Sequence, residues 1–269
     1  MTTAVRTAAT KRPPMDSMRK TALVAGILYL ITFISVATLT LYSPVLNDPA
    51  YILSSGSDTA LRWGALIEVI VALAGIGAAI TLYPVVRRQN ETFALGFVTT
   101  RVIEGAMLLT GVVSMLSLAS LHQVGAAAGG DSTALLTSGA SFVGTYNAAF
   151  LIGGTLMPAM NALLLGYLMY RSSLVPRLIP AIGLVGGVLM TSSVIGQILG
   201  INEQISVWSL IALLPIFAWE LSLGLYMAIK GFKSTSPLMV AAAGRSVGED
   251  GAPPAVPSRT VVETPSGAA

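Results

Sequence analysis

The chain is 269 residues long, 54% hydrophobic and only 10% charged, whereas an average soluble domain carries roughly a quarter charged residues. That deficit excludes an ordinary water-soluble fold and marks a membrane protein. With no cysteine and a single histidine, His122, disulfide frameworks, thiol nucleophiles and Cys or His metal sites are excluded, and the net charge of +3 matters less than where the positive charges fall.

Residues 1–18 are small and polar, with Arg6, Lys11, Arg12 and Pro13-Pro14, and read as a disordered basic tail. Arg19 and Lys20 abut the first apolar run, Thr21 to Leu41. A secretory signal is the rival reading, because Ser35-Val36-Ala37 resembles a cleavage site, but the run continues past it and more spans follow. Tyr42 to Ala60 is a loop with Pro44, Asn47-Asp48-Pro49 and no Lys or Arg. The second span, Leu61 to Val86, opens with Arg62 and Trp63 as interfacial anchors, carries Glu68 further in and closes at Pro84 and Arg87-Arg88. The Gln89 to Thr92 connection is so short that spans two and three must be antiparallel neighbours.

Span three, Phe93 to Leu121, places Arg101 and Glu104 one helical turn apart inside an apolar run. It exceeds the ~20 residues that cross a bilayer, and charge there is costly. His122 to Ala140 reads as an outer loop with His122 at the interface. Span four, Ser141 to Tyr170, holds Asn147, Gly153-Gly154, Pro158 and Asn161, so a kink is expected near Pro158. Arg171 to Arg177 is a turn, and span five runs from Leu178 to Leu199. Its Gly183 and Gly187, then Gly196 and Gly200, have the spacing for close helix packing, within one chain or in an oligomer. Gly200 to Ser206 turns into span six, Val207 to Ile229, with Trp208 at its outer end, Pro215 midway and Glu220 past the middle. Ser234 to Ala269 is poor in core-forming residues and reads as a second disordered tail.

Thirteen of the 15 Lys and Arg residues precede span one or follow spans two, four and six; the others are Arg62 and Arg101. The three opposite loops have none, so the positive-inside rule places both termini in the cytoplasm. The expected architecture is an all-α integral membrane bundle of six transmembrane helices over residues 19–233, flanked by cytoplasmic tails.

The basic start before span one, Arg101-x-x-Glu104, Tyr170-Arg171-Ser172-Ser173-Leu174-Val175-Pro176-Arg177, and Glu220-Leu221-Ser222-Leu223-Gly224-Leu225 followed by Lys230-Gly231-Phe232 carry a resemblance. From Met18 to Phe232 the chain resembles the bacterial six-span membrane proteins known as domain of unknown function 4386. The resemblance implies a prokaryotic inner-membrane protein and brings no established activity, cofactor or catalytic residue.

The chemistry therefore rests on the buried charges. At 1.5 Å per residue from the cytoplasmic ends, Arg101 and Glu220 both lie on the order of 12 to 14 Å deep, Glu104 roughly 17 Å and Glu68 roughly 24 Å. Arg101 can meet Glu220 across the bundle and Glu104 along its own helix. Glu68, Arg101, Glu104 and Glu220 form the candidate intramembrane cluster, contributed by spans two, three and six, with Asn147 and Asn161 as secondary candidates. A structural role comes first, since buried ion pairs hold helices in register. Small-solute or proton-coupled transport through Glu104, Glu220 and Glu68 is the alternative, and a sensor or partner-binding subunit a third reading. The sequence contains no His-x-x-x-His, cysteine cluster or Gly-x-Ser-x-Gly elbow, so neither catalysis nor a cofactor or metal is expected. The expected partner is the lipid bilayer, not nucleic acid; ligand and oligomeric state stay open.

Overall fold

A computed structural model describes residues 17–128 and 131–241. Six helices in it are long and apolar enough to cross a membrane: span one (Ser17–Leu41), span two (Thr59–Val86), span three (Glu91–Gly125), span four (Ser132–Ser172), span five (Leu178–Ile198) and span six (Val207–Ile229). No strand occurs among the described residues. Each span packs against the next in sequence, and span one also packs against span six, closing a ring. Large apolar side chains such as Leu39, Leu73, Ile80, Val113, Val188 and Leu214 point outward, which suits hydrocarbon rather than water.

Small residues let the helices of the ring approach. A Cβ built on Gly26 would sit 2.5 Å from the Ala228 backbone nitrogen, so spans one and six touch main chain to main chain. Arg19 then reaches over the end of span six and donates to the carbonyls of Met227 (3.1 Å), Ala228 (2.8 Å) and Ile229 (3.0 Å). Those are the last carbonyls of a helix, which have no partner within it and carry its negative end. In span five, Gly183 faces the Trp219 ring of span six and Gly187 faces Leu163 of span four. That glycine face is thus covered by the chain itself, and Gly200 sits at φ +70° in the closing turn rather than on a packing face.

Several ends differ from the sequence reading. Span three continues helically to Ala128 and span four begins at Ser132, so most of the expected His122–Ala140 loop is helix. The alanine-rich stretch favours helix, and Asp131 caps span four by accepting from the Thr133 amide at 3.0 Å. Where a kink is expected in span four, the helix carries a π-helical turn, Leu151–Leu156, just before the helix whose first turn holds Pro158. Span one has a 3-10 turn at Phe33–Ser35, where the hydroxyls of Thr32 and Thr38 bond back to the carbonyls of Tyr29 and Ser35 and compete with the regular ladder.

The expected tail boundary at 233 also moves. Lys233 donates its amide to the Leu174 carbonyl at 2.8 Å, and the Ser236 hydroxyl donates to the Ser172 carbonyl at 2.7 Å. Helical structure follows to residue 241, with Leu238 and Met239 on the core. The tail assignments for residues 1–16 and 242–269 lie outside the described residues.

Candidate functional site

Polar side chains in the bundle form separate layers. The innermost centres on Arg101, 3% exposed, which extends from span three into room left by Gly75 of span two. Its Nη1 donates to both oxygens of Glu104 at 2.9 and 3.1 Å, and its Nη2 donates to Glu220 Oε1 at 2.8 Å and to the Tyr29 hydroxyl at 3.2 Å. Asn161 of span four donates its amide to Glu104 Oε2 and accepts at its carbonyl from the Thr100 hydroxyl. Spans one, three and six therefore meet at one guanidinium, and Glu104 carries the group on to span four. Arg101 Nε is the one atom of this group that is buried without a partner.

The spacing explains part of this geometry. Residues three apart on a helix lie on one face, which brings Glu104 to Arg101. Glu220 reaches the same guanidinium from across the ring because both residues sit at matching depth. Asn161 joins the cluster as one of the expected secondary residues. Tyr29 and Thr100 are additions; a tyrosine hydroxyl deep in an apolar span needs a hydrogen-bond partner, and that requirement is the sequence signal for Tyr29, whose oxygen accepts from Arg101.

Glu68 does not join this cluster, contrary to expectation. It accepts from the Tyr42 hydroxyl at 3.0 Å and from the Tyr146 hydroxyl at 3.1 Å. Arg101 stands beside Gly75, about two helical turns or ~10 Å along span two from Glu68. Val71, Ala72 and Leu108, with Phe150 packed on them, fill the level between. Asn147 is also outside the Arg101 cluster. It lines a cleft of about 310 Å³ with Asp48, Tyr51, Val45, Ile52 and Val143.

A further polar group lies at the end where spans two and three meet the 42–58 segment. His122 is 3% exposed, enclosed by protein. Its Nδ1 lies 2.8 Å from Asp58 Oδ1 and its Nε2 lies 2.7 Å from the Ser54 carbonyl. Both ring nitrogens thus face oxygen acceptors, the arrangement of an imidazolium beside a carboxylate. Tyr51 donates to Asp58 Oδ1 at 3.0 Å and Gln123 to Oδ2 at 3.3 Å. Burial, together with the hydrogen bond to Asp58 and the negative charge there, pushes the Tyr51 hydroxyl up to about 12. The single histidine was visible in the sequence; its partner Asp58, read as loop chemistry, was not.

The family described as domain of unknown function (DUF4386) matches residues 24–231. No curated protein and no solved structure matches the chain.

Proposed function

Because the chain belongs to the DUF4386 family, a domain without a described activity, we propose a role from its own geometry: a multi-pass membrane protein of the bacterial inner membrane, both termini cytoplasmic, in which the Arg101 cluster is a structural clasp. The observation that carries this is the single guanidinium bonded to side chains of spans one, three and six, with Glu104 passing the linkage to span four. A charge placed in hydrocarbon is costly alone and tolerable when its hydrogen bonds are met by partners from other helices. No catalytic role is assigned to it. The orientation rests on the basic residues gathered at one set of loops.

Melting of the protein in mild detergent tests the clasp. Arg101→Met and Glu220→Gln should each lose a large share of stability, about 3 to 5 kcal/mol for a broken buried pair. An unchanged or raised melting temperature for either one sinks the structural reading.

One observation favours transport as the second reading. One guanidinium faces two carboxylates, Glu104 and Glu220, and the Glu220 side chain keeps 18% of its surface accessible. A small cation or a proton balances that count, and the π-helical turn beside Glu104 supplies a place for span four to bend. In that reading Glu220→Gln abolishes uptake into proteoliposomes while the melting temperature holds.

A further inference from the structure

Glu68 sits in the apolar part of the bundle, 3% exposed, with no cationic partner among the described residues. Tyr42, just past span one, donates to Oε2, and Tyr146, on span four, donates to Oε1. The two rings stand edge to face, 5.2 Å between centroids. Span three faces this level with Leu108 and Val112 and brings no titratable side chain to it; its nearest are Glu104 further in and His122 further out. On span two, Arg62 lies in a surface recess with Thr59, Trp63 and Leu66. Two neutral donors reduce the cost of a buried carboxylate but do not neutralise it.

The cleft of about 310 Å³ runs alongside. Val45 and Leu46, one turn beyond Tyr42, and Val143 and Asn147, on either side of Tyr146, form part of its wall, and Asp48 and Tyr51 supply polar groups. The residues flanking both tyrosines therefore border space open to the surface that carries the 42–58 segment.

We propose that Glu68 is a proton-binding site, loaded and unloaded through the Tyr42 and Tyr146 hydroxyls from the side of the membrane where that segment lies. In the ionised state both hydroxyls donate to the carboxylate. On loading, a hydronium ion in the cleft yields its proton and remains as water; a new O–H bond forms on one carboxyl oxygen. The tyrosine that donated to that oxygen becomes the acceptor and turns its own O–H away. Both carboxyl–tyrosine hydrogen bonds are kept in both states, one with its direction reversed, which is what lets the proton come and go without rebuilding the core. This site is independent of the Arg101 clasp, and neither reading depends on the other.

Infrared spectroscopy of the full-length protein in a lipid bilayer tests this. A protonated carboxyl has a carbonyl stretch clear of the amide bands. The parent should show such a band, raising the pH should bleach it, and Glu68→Gln should lack it. Tyr42→Phe keeps the carboxyl but removes one donor, so it should move the band to higher frequency; that shift carries the assignment if Glu68→Gln does not fold. The proposal is overturned if the parent has no such band at any pH. It is overturned equally if the band is insensitive to both substitutions, or if sodium added at constant pH bleaches it, which would make the site one for a metal cation.

Discussion

Gly183 of span five and Trp219 of span six are packed so closely that a Cβ on the glycine would lie 2.5 Å from the indole ring. Trp219 is 1% exposed and among the largest side chains in the core, so neither partner has room to give way. Gly183→Val should cost about 1 to 3 kcal/mol through overpacking, read as a lower melting temperature in detergent. Gly144→Val is the control, because nothing lies within 4 Å of its Cβ position. Equal losses for the two would mean that spans five and six are not in contact as described.

The natural chain has no cysteine, so single cysteines can map its sidedness without a background. Asp48→Cys and Asp131→Cys should react with an impermeant maleimide on intact cells. Arg87→Cys and Arg171→Cys should react only after the membrane is opened. Labelling of either arginine position from outside reverses the orientation.

The Tyr51–Asp58 contact predicts an alkaline weakness. Tyr51 in the folded chain holds its proton up to about 12, above the ordinary 10.0. Unfolded chain therefore releases that proton first, and the stability contributed by Tyr51 is fully present below about pH 10 and lost as pH rises towards about 12. Tyr51→Phe has no such proton, so its melting temperature should fall less steeply over that window. Parallel pH profiles for parent and variant would dissociate the hydroxyl from the fold.

Length and hydropathy carried much of the architecture into the sequence. Each of the six apolar runs appears as a membrane-length helix, and the short Gln89–Thr92 connection makes spans two and three neighbours. Within the site, a spacing of three residues announced Arg101 with Glu104, and equal depth announced Arg101 with Glu220. Depth alone does not say where a residue sits around a ring. Glu68 is grouped with the arginine as a fourth buried charge although the depth count itself sets it about 10 Å away; its actual partners, Tyr42 and Tyr146, come from a segment read as loop and from a helix two places away. Helix ends were the other failure. Gly, Ala and Ser between His122 and Ala140 carry weak signals either way, and only Asp131 as a cap marks the true boundary.

The contact between Arg19 and the carbonyls of Met227, Ala228 and Ile229 spans 208 to 210 positions of chain. Span one, made well before span six, therefore completes its packing only once span six is in place. Until span six is inserted, the bundle is an open arc with Gly26 bare to lipid and Arg101 short of Glu220. A chain halted before residue 207 has no way to shut that seam. Quality-control proteases should meet such fragments as unfinished, and the intact protein should gain its resistance to digestion in a single late step of biogenesis.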